Sequence, residues 1–89
     1  MTMTTLAAVA AATGGELHGN DAPFVAIATD SRRLGPGELF FALPGARYDG
    51  ADFVPQAAAL GAAGAVVQRR VDAPLPQVVV PNVRTALAY

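Results

Sequence analysis

Leu39-Phe40-Phe41-Ala42-Leu43 is apolar at every position. A strand with one face in water alternates apolar and polar side chains, so an unbroken apolar run marks a strand covered on both faces. The run predicts the middle of a sheet with helix layers on either side. Polar residues follow it from Pro44 to Asp49. Beyond them the spacing predicts a helix over Phe53 to Leu60, capped near Asp52, with Phe53, Ala57 and Leu60 on one stripe. Pro55 is tolerated in its first turn and Gly61 stands near its end. Ala65-Val66-Val67-Gln68 then reads as another strand, and strand, crossover helix and strand in this order suggest a right-handed parallel unit.

Working back from Leu39, residues Asp30 to Gly37 read as a loop. Phe24 to Thr29 reads as a strand with Val25, Ile27 and Thr29 on one face, Asn20-Asp21-Ala22-Pro23 as a turn, and Glu16 to His18 as a short strand. Leu6, Val9, Ala10 and Thr13 fall at helical spacing behind Thr4 and Thr5, which can cap, and Gly14-Gly15 supplies a left-handed stop, so the chain opens with a helix near Thr5 to Thr13. At the other end, Val71 to Pro76 is a loop and Gln77 to Val80 a strand. Asn82 is a good N-cap for a helix through Val83, Ala86 and Leu87. That helix halts at Tyr89 in mid-pattern, which predicts that the natural chain continues. The fold class expected is α/β: one small domain over residues 1–89, a mixed sheet with a central buried strand flanked by helices.

The balance of residues narrows the function. Apolar residues make up 53% and charged residues 15% of the 89, which suits a globular domain and not a disordered segment. All six basic residues are Arg, and with seven acidic residues the net charge is -1, so there is no electrostatic footprint for nucleic acid. The absence of Lys closes phosphate-activating loops and Schiff-base chemistry to this chain on its own. There is no Cys and a single His, His18, which cannot build a zinc site alone. No apolar run approaches the roughly 20 residues of a membrane-spanning helix. The Ala-rich stretch from Leu6 to Ala12 has no Lys or Arg before it and Thr residues around it, unlike a signal peptide. The expected location is the cytoplasm, with neither membrane nor nucleic acid as partner.

Two stretches are placed to meet a ligand. Thr29-Asp30-Ser31-Arg32 lies where a strand gives way to a loop, where backbone N–H groups and short hydroxyls can reach carbonyls and phosphates. A plainer reading has Asp30 and Ser31 forming a side-chain turn, with Arg32 beside a carboxylate. Gly45-Ala46-Arg47-Tyr48-Asp49-Gly50 follows the central strand, and ligands of open α/β sheets collect at the carboxyl ends of strands. Arg47 can fork onto a phosphate and Tyr48 can lie against a planar base. Alternatively Asp49-Gly50 makes a polar turn, with Arg47 in water. Gly14-Gly15 follows a helix and does not open one, so it is a helix stop and not a dinucleotide fingerprint. Arg69-Arg70 and Asp72 read as a solvated edge, His18 as a strand end without a local partner. No nucleophile with its base can be found.

Taken in order, the motifs resemble the amino-terminal domain of the ATP-dependent Mur ligases. The matching stretches are Thr13-Gly14-Gly15-Glu16-Leu17, Thr29-Asp30-Ser31-Arg32, Pro36-Gly37-Glu38-Leu39-Phe40-Phe41-Ala42-Leu43, Gly45 with Arg47-Tyr48-Asp49-Gly50 and Asp52-Phe53-Val54, and Gly61-Ala62-Ala63-Gly64-Ala65-Val66-Val67. The opening helix ending in Gly-Gly-Glu-Leu, the Arg-Tyr-Asp-Gly loop and Leu75 to Val80 look most like the branch that joins D-alanyl-D-alanine to UDP-N-acetylmuramoyl-tripeptide. The branch adding the third amino acid shares the Asp-Ser-Arg and Asp-Gly elements and stands as an alternative, as does a stand-alone binding module. The resemblance implies that this domain binds the uridine diphosphate end of a UDP-N-acetylmuramoyl-peptide. Thr29, Ser31 and Arg32 would serve on one side, and Ala46, Arg47 and Tyr48 on the other. Many relatives are expected to carry His after Asp-Gly, where this chain has Ala51. ATP and magnesium are implied for the whole enzyme but no cofactor for this chain, with the phosphate-cradling Gly-Lys-Thr loop and the chemistry left to further ligase domains in cis. The 89 residues alone are expected to be inactive.

Overall fold

A computed structural model of the chain describes residues 5–43 and 50–87. Helix α1 (Leu6–Thr13) forms where expected: the Thr5 hydroxyl accepts from the Ala8 N–H, and Gly14, at φ 72°, ends the helix in the left-handed conformation. Strand β1 (Glu16–His18) follows, then β2 (Ile27–Ala28), a 3-10 turn (Ser31–Arg33) and β3 (Leu39–Phe41). A second 3-10 turn (Gly50–Phe53) leads into α2 (Val54–Ala59), and β4 (Gly64–Val67), β5 (Gln77–Val79) and α3 (Val83–Leu87) complete the order. Asn82 caps α3, its Oδ1 accepting from the Thr85 N–H at 3.1 Å.

The five strands form one sheet in the order β1-β5-β4-β3-β2. β2 through β5 run parallel, and β1 joins β5 antiparallel, pairing Glu16 with Val79 and His18 with Gln77. The sheet is therefore mixed, as expected. Its faces build two cores from alternate residues of the same strands. Leu39, Phe41, Val66 and Val78 pack under α1 and α3 with Leu6, Ala10, Val83 and Ala86. Phe40, Ala42, Ala65 and Val67 pack under α2 with Val54 and Ala57.

The structure shifts three of the expected details. β3 is buried and paired on both sides, yet the middle of the sheet is β4, all four of whose residues are buried. Gly64 and Ala65 make that strand look weakly apolar, but small side chains suit a position pressed from both faces. The strand expected over Phe24 to Thr29 shrinks to Ile27–Ala28, and Val25 and Ile27 are 80% and 51% exposed. β2 is an edge, and it is Phe24 and Ala28 that turn to the two cores. Helix α2 is rotated from the expected stripe: Val54 and Ala57 are buried while Leu60 is 39% exposed. Its N-cap is Phe53, preceded by the 3-10 turn that holds Asp52, so Asp52 does not cap.

Candidate functional site

Where β2 ends, Thr29 is exposed and Asp30 organises the turn behind it. Asp30 Oδ1 accepts from the Arg32 backbone N–H at 2.9 Å and from Arg32 Nε at 3.1 Å, while Oδ2 accepts from a terminal guanidinium nitrogen at 3.1 Å. The plainer reading of this stretch is thus present in the structure: Arg32 is folded onto a carboxylate. These hydrogen bonds from Arg32 hold the Asp30 carboxyl below its ordinary value and raise Arg32 above its own. A depressed acid favours the folded turn wherever it is ionised, and the contribution is lost as pH falls through its folded value. A carboxyl-carbon titration of Asp30 is expected to show a midpoint below the value of about 3.9 of an unperturbed Asp, with the Arg32 amide shifting in the same range. A midpoint at or above that value would contradict the clasp.

Ser31, between them, is buried. It is 5% exposed, and its hydroxyl donates to Gln56 Oε1 of α2 at 3.4 Å. Thr29, Asp30, Ser31 and Arg32 line a cleft of about 580 Å³ together with Leu43 and Gly50, and Phe40 and Phe53 add apolar wall. Leu43 and Gly50 are tied together, the Gly50 N–H donating to the Leu43 carbonyl at 2.9 Å. The cleft lies beyond the carboxyl ends of β2 and β3, where the ligand site of an open parallel sheet is expected.

Of the six residues singled out in the sequence, the structure therefore brings Thr29, Ser31 and Arg32 to one cleft. Ala46, Arg47 and Tyr48 lie outside the described residues, but the segment carrying them joins Leu43 to Gly50, both on the cleft wall. Gln56 was not foreseen: a polar residue on a short helix gives no local sign that it reaches a Ser far back in the chain. His18 does have a local partner, its Nε2 standing 3.2 Å from Glu16 Oε1 along the same strand. Arg69, Arg70 and Asp72 are exposed, as their pattern suggested. A second depression, of about 390 Å³ between α1 and α3, is lined by apolar residues and Thr13 and carries no titratable group. Among the described residues no three His, Cys, Asp or Glu side chains gather to hold a metal ion.

Residues 23–88 match the model of the Mur ligase family, described as its catalytic domain. The chain belongs to the Mur ligase family. Among its relatives is the UDP-N-acetylmuramoyl-tripeptide–D-alanyl-D-alanine ligase of Escherichia coli K12, 44% identical over 86 residues that cover 97% of this chain and 19% of the relative. The UDP-N-acetylmuramoyl-L-alanyl-D-glutamate–2,6-diaminopimelate ligase of Gloeobacter violaceus is 47% identical over 77 residues, 78% of this chain and 16% of the relative. Among solved structures, MurF from Acinetobacter baumannii superposes with a TM-score of 0.81 at 38% identity, over 89% of this chain and 18% of that one. The fold and family expected from the motifs are thus found, and the chain spans less than a fifth of the Mur ligases it matches. Both branches weighed in the sequence are represented among the relatives.

Proposed function

We propose that the chain is the amino-terminal domain of a cytoplasmic Mur ligase that adds D-alanyl-D-alanine in peptidoglycan synthesis, and that its cleft holds the uridine diphosphate end of UDP-N-acetylmuramoyl-peptide. The observation that carries the reading is the convergence of Thr29, Ser31 and both stems of the 44–49 segment on one cleft at the carboxyl ends of β2 and β3. The charge distribution gives the ligand a direction. Asp30 and Arg32 neutralise one another, so their side of the cleft suits the neutral base and ribose. The diphosphate falls to Arg47, whose guanidinium can fork onto it. The D-alanyl-D-alanine branch is supported by the E. coli relative, which aligns over 97% of the chain. The diaminopimelate-adding branch is the second reading, favoured by 47% identity over a shorter stretch.

ATP and magnesium, which such a ligase uses, do not fit the residues present. The chain has no Lys and no Gly-rich loop ending in one, so no step of acyl phosphate chemistry is assigned to it. Its part is to bind and orient, and the remaining ligase domains, in cis, supply the reaction. No described helix is long and apolar enough to cross a membrane.

Titration of the chain with UDP, followed by amide shifts, tests the reading. Shifts are expected at Thr29 to Arg32 together with Ala46 to Asp49. Arg47→Ala is expected to weaken binding by roughly tenfold or more, the equivalent of a charge-assisted hydrogen bond of about 1.5–3 kcal/mol, and to flatten its salt dependence. Arg70→Ala should leave both within about twofold, since its side chain is exposed and is not among the residues lining the cleft. Shifts clustered at Arg69 to Asp72, or equal losses from the two substitutions, would place the site elsewhere.

A further inference from the structure

We infer that the apolar groove between α1 and α3 is the seat of the polypeptide that follows this domain in the full-length ligase, an inference that rests on the reading above that further ligase domains stand in cis. The groove holds about 390 Å³ and is walled by Ala8 and Ala12 of α1, Ile27 of the edge strand β2 and Leu87 of α3. Ala8 and Ala12 are exposed and Ile27 is 51% exposed, so apolar surface is left bare along one depression. Every residue of α1 before Thr13 is apolar, yet only Leu6 and Ala10 are buried. No polar stripe marks the flank of Ala8 and Ala12 as a solvated one.

What fills the groove follows from its chemistry and its position. A small-molecule site fixes its ligand with a few convergent polar groups. Among the described residues the one polar side chain on this wall is Thr13, and its hydroxyl already donates to the Val9 carbonyl at 2.7 Å. A free protein partner or a second copy takes roughly 20–30 residues a side, whereas nine line this groove. A tethered segment needs far less, because a short connection already sets a high effective concentration. The chain spans less than a fifth of the ligases it matches, and Leu87, its last described residue, stands on the groove wall. The polypeptide beyond is thus delivered to the groove. The side chains it lays there are apolar and uncharged, since nothing on the wall can pair with an ion.

The chain has no Cys, so an introduced thiol reports on a single position. Ala12→Cys is made in the 89-residue chain and in the full-length ligase, and its alkylation by N-ethylmaleimide is timed by mass spectrometry of the α1 peptide. Ala11→Cys, exposed but not on the groove wall, is the control. Lengthening the chain is expected to slow the Ala12→Cys reaction by about tenfold or more and the Ala11→Cys reaction by less than about twofold, the pattern of a stable local contact. Ala8→Glu sets a charge in the groove without opening the core, Ala8 being exposed, and circular dichroism checks that the variant is folded. It should return the Ala12→Cys rate in the full-length ligase to within about twofold of the 89-residue value. Equal Ala12→Cys rates in the two lengths, or equal slowing at both positions, would overturn the docking. So would slowing in the 89-residue chain that grows with its concentration, which marks a second copy as the occupant. UDP titration of the same samples separates the two readings: no UDP shifts while Ala12→Cys is protected would overturn the nucleotide site and leave the docking, and a natural gene that stops at residue 89 would overturn the docking and the ligase alike.

Discussion

Phe40→Ala is expected to destabilise the domain by about 3–5 kcal/mol, the range for removing a fully buried aromatic side chain and leaving a cavity. Phe40 is 1% exposed, and it stands in the α2-side core with Leu34, Val54, Ala57, Ala65 and Val67. Most of those neighbours are small, so the void left by the ring has little to collapse into it. A domain of this length has a total stability on the order of 5–10 kcal/mol, so the substitution should remove roughly 30% of it or more. Denaturant unfolding followed by circular dichroism reads the loss directly. Ile27→Ala, on the exposed edge strand, supplies the contrast and should cost under about 1 kcal/mol. A Phe40→Ala loss no larger than the Ile27→Ala loss would mean that the α2 layer does not pack on β3 as described.

Gly50→Ala is expected to disturb both the fold and the cleft. A Cβ added at Gly50 would stand 2.6 Å from Ala42 C, Leu43 N and Leu43 O, all of them backbone atoms. No rotamer change relieves such a clash, so either the end of β3 or the 3-10 turn before α2 must move. Overpacking of this kind costs about 1–3 kcal/mol. The same motion breaks the 2.9 Å hydrogen bond from the Gly50 N–H to the Leu43 carbonyl and displaces two residues of the cleft wall. UDP affinity should therefore fall by roughly tenfold or more alongside the lower unfolding midpoint, since misplacing a binding wall by an ångström costs about that much. Unchanged stability together with unchanged UDP shifts would show that the turn is not held against β3.

Much of this was legible in the residues, for reasons that also explain what was not. The run Leu39 to Leu43 announced a strand covered on both faces because every position in it is apolar. β4 escaped notice as the true centre because half of it is Gly64 and Ala65, whose burial follows from position and not from hydrophobicity. The alternation of Val25 and Ile27 was real, but on an edge strand it describes exposed side chains. Around the cleft, the placement of Thr29 and Ser31 at a strand end and the local clasp of Asp30 on Arg32 follow from short-range pattern. The Ser31 to Gln56 contact joins parts of the chain that only the folded sheet brings together, and no local pattern encodes it.

The antiparallel pairing of β1 with β5 has a consequence for the order of assembly. It joins the beginning of the described chain to its far end, Glu16 against Val79. Closing so long a loop is entropically unfavourable until most of the sheet exists, so β3, α2 and β4, neighbours in sequence, are the part that can form early. On a ribosome, synthesis proceeds from the amino terminus at about 5–20 residues per second. Leu6 and Ala10 therefore emerge before the rest of their core, and of that core Val78, Val80, Val83 and Ala86 follow well after Leu39, Phe41 and Val66. For several seconds the first helix travels with part of its apolar stripe uncovered, and its docking is complete only when β5 and α3 have left the exit tunnel.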